Sequence, residues 1–178
     1  AYELAADLYI AIERLDPDSD HATNICYNYD RAGKTKKSIE WAEIAYKRNP
    51  SATNAYNLSC KNCGEEEEKY LRLALEYDPD YTSALLTLGK ILKVRGDSEG
   101  DVLLQSALIQ LQDDLYSSTP TIRKCEDLIQ VCNTLEGYEE LKSSATDIKK
   151  RIITTDKELY SQENLVSSLK PNLGMKES

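Results

Sequence analysis

The chain has 178 residues but only one histidine, no phenylalanine, seven glycines and five prolines. A single histidine leaves almost nothing from which a hydrolase triad or a histidine acid-base pair could be built. The few glycines do not form the loop that cradles phosphate groups in nucleotide-binding proteins. We therefore expect a protein that is not an enzyme and that carries no cofactor or metal.

Long apolar stretches and a basic surface are also missing. No stretch approaches about 20 apolar residues and no basic-then-apolar leader is present, so neither a membrane span nor a signal peptide is expected. Acidic residues outnumber basic ones by 31 to 22, giving a net charge of −9, which would repel a nucleic acid backbone. The cysteines number five and are scattered through helical segments, which indicates reduced thiols and a cytoplasmic protein.

Helical periodicity is present almost throughout, whereas strand-like alternation of useful length is not. The stretch Ser19–Pro50 predicts one complete helix-turn-helix unit. Its first helix ends at Gly33, and Thr35 is expected to cap the second one. The two helices turn the following small or apolar residues toward each other: Ala22, Ile25, Cys26, Tyr29, Ile39, Ala42 and Ala45.

These offsets resemble those of the tetratricopeptide repeat (TPR) family, which is built from helical pairs of roughly 34 residues. The distance from Pro17 to Pro50 is 33 residues, and the next unit, which ends at Pro79, is shorter. The resemblance covers about Ala1 to Asp113. It implies an all-α fold, a right-handed solenoid of antiparallel helix pairs that ends in a helical cap.

Three regions are predicted on this basis: TPR-like repeats over 1–113, a divergent helical pair with a capping helix over 114–169, and a flexible tail over 170–178. The first helix resembles the second helix of a repeat whose first helix is absent, so we expect a fragment of a longer protein. The third unit is expected to begin with a helix from Ala52 to about Asn62. The capping helix is expected to begin at a capping box that starts with Thr155. About ten helices are expected in all, with one of them over Ser98 to Leu111.

In the TPR family the ligand groove is lined by the first helix of each pair. Carried over by offset, the resemblance implies a groove lined by Asp20, Thr23, Asn24, Tyr27, Asp30, Thr53, Tyr56, Asn57, Leu86, Lys90 and Lys93. Asparagine recurs at the same offset in consecutive units, and its amide can donate to and accept from a peptide backbone. We expect Asn24, Tyr27, Tyr56 and Asn57 to hold the ligand, with aspartates at one end of the groove and lysines at the other.

The favoured function is therefore a non-catalytic interaction module, adaptor-like or co-chaperone-like, that binds a peptide or a partner protein. Chaperone-binding relatives clamp a terminal carboxylate with basic residues, at positions that Thr23 and Leu86 occupy here, so a chaperone tail is not expected. An alternative is a regulatory or oligomerisation appendage of an enzyme or chaperone domain in the missing N-terminal part. Self-association is also expected, because the stripe of Leu4, Leu8, Tyr9 and Ile12 would lack a partner helix.

A further alternative comes from Cys60-Lys-Asn-Cys63, since paired thiols at this spacing can bind zinc or exchange disulfides. No second pair accompanies the motif and His21 is the one histidine, so packing or incidental thiols are the favoured interpretation.

The acidic run from Glu65 to Glu68 is interpreted as a helix start rather than as a cation site. Carboxylates at the start of a helix are favoured by its dipole, and we expect these to be solvated.

Overall fold

A computed structural model of the chain describes residues 1–116 and 120–169, with side chains of the last helix described as far as residue 157. Nine helices and no strand occur in these ranges, which confirms the predicted all-α class. The helices are α1 (Tyr2–Leu15), α2 (Ala22–Arg31), α3 (Thr35–Arg48), α4 (Ala52–Ser59), α5 (Glu65–Tyr77), α6 (Thr82–Val94), α7 (Glu99–Tyr116), α8 (Ile122–Thr134) and α9 (Glu139–Leu169).

Helices that are consecutive in the chain pack against each other. Helix α2 packs on α3, α4 on α5, and α8 on α9, while α1–α2, α3–α4 and α5–α6 contacts join successive pairs. A connection of only three residues separates α2 from α3, so the chain must reverse direction there. Gly33 lies in that turn with φ of 70°, a conformation that costs little only for glycine. The predicted helix end at Gly33 is therefore present.

Contacts divide the chain into two compact units, Ala1–Leu103 and a second one that begins at Leu104, and the division falls within α7. The repeat boundary expected near Asp113 stays a prediction. In the first unit, small residues lie where helices approach closely: Ala42 and Ala45 are 1% and 3% exposed. One of its buried clusters joins α4, α5 and α6 through Ala55, Leu71, Ala74, Ala84, Leu88 and Leu92.

Ala45 provides a test of this packing. We expect Ala45→Leu to lower the free energy of unfolding by roughly 1–3 kcal/mol, because the added atoms have no space at the helix contact. Glu65→Gln, an exposed change at the start of α5, should alter it by only a few tenths of a kcal/mol. Thermal melts of both variants decide the point, and equal shifts in melting temperature would contradict it.

Several predicted helix boundaries were wrong. Thr35 is the first residue of α3 rather than its cap; Lys34 precedes the helix and makes no side-chain capping bond. Helix α4 ends at Ser59, because the backbone N–H groups of Lys61 and Asn62 donate to carbonyls three residues back and tighten the turn. Helix α7 continues to Tyr116, since no glycine or proline lies between Gly100 and Tyr116.

The C-terminal region differs from the sequence prediction in a second way. Helix α9 is continuous from Glu139 to Leu169, so the expected capping helix is not a separate element. The capping box proposed at Thr155 lies inside α9, where no glycine or proline precedes it to end the helix. The tail predicted over residues 170–178 lies outside the described part of the chain.

Glu68 differs from the solvated carboxylate expected at this position. Its side chain is 19% exposed and forms ion pairs with Arg72 and Arg95, which lower the pKa of the Glu68 carboxyl, the Arg95 hydrogen bond contributing most. Arg72 also donates two hydrogen bonds to Glu99, at 2.8 and 2.9 Å. This network links α5 to the end of α6 and the start of α7, which only the folded chain brings together.

Candidate functional site

A groove with a volume of about 470 Å³ lies between α2 and α4, and we call it the α2–α4 groove. Residues on one face of each helix, together with the turn after α4, form its walls. They are Thr23, Asn24, Cys26, Tyr27, Asp30, Thr53, Asn57, Cys60 and Lys61. All of these residues belong to the first compact unit.

The groove face of α2 is exposed because the other face of the helix supplies the core. Ala22 and Ile25 are fully buried and Tyr29 is 2% exposed, so α2 is anchored through these residues. Residues 23, 24, 27 and 30 recur at the spacing of one helical face, and none of them is buried. The same sequence pattern that fixes α2 in the core thus presents a polar row to solvent.

Asn24 and Asn57 face this groove from opposite helices. The Asn24 side chain is exposed and that of Asn57 is half-buried. Neither side-chain amide makes a hydrogen bond within the part of the chain that the structure describes; the bond from Asn28 Nδ2 ends on the backbone carbonyl of Asn24, at 2.8 Å. Each amide therefore offers both a donor and an acceptor to a ligand.

The two tyrosines expected beside these amides have different surroundings. Tyr27 lines the groove with 58% of its surface exposed. Tyr56 is not among the lining residues, because its ring packs on the buried cluster of α4–α6. The centroids of the Tyr56 and Tyr81 rings are 5.6 Å apart. The α2–α4 groove thus offers one exposed ring, where the sequence predicted two.

The charges in the groove are paired. The ammonium group of Lys61, whose side chain is 12% exposed, forms an ion pair with the carboxylate of Asp30 on α2. Outside the groove, Asp20 accepts a hydrogen bond from Arg48 at 3.3 Å and Lys93 pairs with Asp101 of α7. The expected contrast between an acidic end and a basic end is therefore largely neutralised within the molecule.

The other residues predicted for the site lie elsewhere. Leu86 is 5% exposed and belongs to the packed face of α6, so its side chain offers little surface to a ligand. Lys90 and Lys93 are also on α6, and Asp20 precedes α2. None of these four residues lines the α2–α4 groove.

Asn54 supports the groove from behind, a role that the sequence analysis did not identify. It is 5% exposed, accepts a hydrogen bond from Thr23 Oγ1 at 3.1 Å, and donates through Nδ2 to the carbonyls of Ala45 at 3.3 Å and Asn49 at 2.9 Å. The signal in the sequence was its position, four residues before the buried Leu58 and therefore on the inward face of α4.

The cysteines fall into two groups, although all five are free thiols. Cys26 is buried at the back of the groove, where burial raises the pKa of its thiol, and its sulfur lies 3.6 Å from the Ser38 hydroxyl. Cys60 and Cys63 are exposed. Among the described residues no group of three or more histidine, cysteine or acidic side chains is placed to hold a metal ion.

Comparison with known proteins identifies a fold but not a family. No family profile matches the chain, and no curated protein matches it significantly. A solved structure described as "Crystal structure of MamA" matches with a TM-score of 0.51 and 16% identity, over 90% of this chain and 91% of that one. No helix in the described ranges is both long and apolar enough to span a bilayer. The chain has the all-helical, TPR-like repeat fold that it shares with MamA.

Proposed function

We propose that the chain is a protein-interaction module that binds an extended peptide segment of a partner protein in the α2–α4 groove. The observation that carries the proposal is the pair of unbonded amides, on Asn24 and Asn57, that face one groove from two helices. Helical repeat folds commonly present such concave surfaces to partners.

An extended peptide uses the hydrogen-bonding groups of this groove better than a compact ligand does. Its backbone alternates N–H donors with C=O acceptors, and one asparagine amide can accept from the N–H and donate to the C=O. Tyr27 adds an exposed ring for an apolar side chain of the peptide, at low cost in conformational entropy. The volume of about 470 Å³ lies in the range of small-ligand sites and suits a few peptide residues.

The charges of the groove also favour a peptide without a strong net charge. Asp30 and Lys61 pair with each other, so a charged ligand would have to separate them before it gained a partner. The Lys61 side chain is 12% exposed, so separating the pair would leave its charge without a partner near the protein surface, which offsets part of the gain. We expect binding that depends weakly on salt concentration.

The proposal is tested by selecting peptides from a random library on the immobilised chain and mapping the best of them by NMR. We expect the side-chain amide resonances of Asn24 and Asn57 to shift on titration, while those of Asn133, an exposed asparagine on α8, do not. Peptides that bind tightly and leave both groove amides unshifted would contradict the proposal.

A second interaction is favoured by the surface of α1. Leu4, Leu8 and Leu15 are 74%, 61% and 88% exposed and, with Ala11, form one stripe opposite the face that packs on α2. Tyr9 and Ile12, which were expected in this stripe, are half-buried, and Tyr9 packs on the buried cluster of α1 and α2. We propose that α1 pairs with α1 of a second copy. In an antiparallel pair, the stripe of one copy packs on the stripe of the other. Asp7 and Arg14 flank the stripe on the same side, so Asp7 of each copy approaches Arg14 of the other.

This pairing predicts a dimer that one substitution removes. Sedimentation equilibrium should show a concentration-dependent dimer that Leu8→Lys abolishes, because the charge would be buried in the apolar contact. Val94→Lys is the control, since Val94 is 89% exposed but lies on α6. A strict monomer, or a dimer that Leu8→Lys leaves intact, would contradict this second proposal.

A further inference from the structure

We propose that Cys60 and Cys63 form a thiol–disulfide exchange site that reacts with small disulfides such as oxidised glutathione and ends as a Cys60–Cys63 disulfide. This inference goes beyond peptide binding, and its test does not depend on it. It concerns an exposed cysteine pair outside the core, of which Cys60 lines the α2–α4 groove and Cys63 does not.

The first observation is the difference between these two cysteines and the other three. Cys60 and Cys63 are exposed, whereas the side chains of Cys26, Cys125 and Cys132 are at most 5% exposed. Burial also raises the pKa of each of the three inner thiols, which disfavours the reactive thiolate. A disulfide in solution therefore meets the pair at residues 60 and 63 and not the others.

The second observation is the shape of the chain between the two residues. Cys60 follows the last residue of α4, and the N–H groups of Lys61 and Asn62 donate to carbonyls three residues back, at 3.0 and 3.1 Å. Only three peptide units separate the two Cα atoms, so they cannot lie more than about 11 Å apart. These bonds close turns over residues 58–61 and 59–62, and a disulfide needs the Cα atoms of residues 60 and 63 to come within about 7 Å, a separation that this spacing allows.

The chemistry is a two-step exchange. One thiolate of the pair attacks a sulfur of the disulfide RSSR, forming a mixed disulfide and expelling RS⁻. The second thiolate attacks the protein sulfur of the mixed disulfide, closes the Cys60–Cys63 bond and expels the other RS⁻. The two protons lost by the cysteines end on the two RSH molecules, so the protein is oxidised by two electrons and RSSR is reduced by two.

An ion pair links this site to α2. Lys61 lies between the two cysteines, and its ammonium group pairs with Asp30 on the facing helix. A closed disulfide reshapes the turn that carries Lys61, so the pair favours the dithiol form. Cys60 also lines the α2–α4 groove, so a mixed disulfide formed on Cys60 would place its R group at that groove.

The test is incubation of the native chain with oxidised glutathione, followed by intact mass and peptide mapping. We expect the loss of two hydrogens and a Cys60–Cys63 crosslink, with the three buried cysteines unchanged as internal controls. Cys60→Ser and Cys63→Ser should each stop at a mixed disulfide that carries one glutathionyl group. A wild-type chain that stops at mixed disulfides, or that reacts only after denaturation, would overturn the proposal.

A second measurement examines the link to α2. Asp30→Asn should raise the equilibrium constant for disulfide formation, measured in glutathione buffers, by about two- to fivefold. This factor corresponds to the free energy that one partly exposed ion pair contributes. Glu66→Gln is the matched control, because within the described residues Glu66 forms its ion pair with its helical neighbour Lys69. Equal constants for the two variants would show that the pair does not restrain the turn.

Discussion

Replacing Gly100 by alanine will lower the free energy of unfolding by about 1–3 kcal/mol, although alanine is the better helix former by about 1 kcal/mol. A Cβ atom at Gly100 would lie 2.5 Å from the backbone nitrogen of Lys93 and 2.8 Å from the carbonyl oxygen of Gly89. Both neighbours are backbone atoms of α6, so no side-chain rotation can relieve the overlap. The start of α7 would have to move away from α6.

A larger side chain at this position should have a larger effect. We expect Gly100→Leu to lower the free energy of unfolding by more than about 3 kcal/mol, beyond the usual cost of overpacking. Gln105→Ala, on the exposed face of α7, is the control and should be neutral or slightly stabilising. Denaturant titrations of the three variants measure these values. A neutral Gly100→Ala would mean that α7 does not approach α6 as closely as described.

Gly100 illustrates what periodicity could not predict. No role for Gly100 could be predicted from the sequence, because a single glycine in a helix carries no signal about the helix that crosses it. The prediction from sequence was sound where burial follows the helical period. Ala22, Ile25, Cys26 and Tyr29 were expected to form one buried stripe, and all four are at most 5% exposed.

The candidate site was predictable in part for the same reason. Offsets along α2 and α4 identify which residues face away from the core, so Asn24, Tyr27 and Asn57 could be named from sequence. Offsets do not show which of these residues a neighbouring helix or connection covers. Tyr27 and Tyr56 were both placed on the groove face by their offsets, yet Tyr56 packs against Tyr81, which lies in the connection before α6.

Pairings between distant residues were also beyond the sequence. Lys61 contacts Asp30 across 31 positions and Arg72 contacts Glu99 across 27, and composition does not distinguish these residues from solvated charges. Each pair forms because helix packing places the two side chains at one point of the surface. The predicted polarity of the groove is largely neutralised for this reason, since the prediction counted the charges without their partners.

The largest functional effect is expected from removing both groove amides. With a peptide selected as described above, the double variant Asn24→Ala, Asn57→Ala should bind roughly thirtyfold more weakly or worse. Each truncation leaves a desolvated peptide group without its partner, at a cost of about 1–3 kcal/mol, so the pair costs at least about 2 kcal/mol. Titration calorimetry of the double variant and the wild-type chain measures the ratio.

The same variant should keep its melting temperature, because neither amide bonds to another described residue of the chain. Two controls separate binding from folding. Asn133→Ala, an exposed change on α8, should alter neither property. Asn54→Ala should lower the melting temperature, because it removes three hydrogen bonds behind the groove. Unaltered affinity in the double variant, with the Asn54→Ala control behaving as expected, would place the peptide elsewhere on the molecule and exclude the α2–α4 groove as its site.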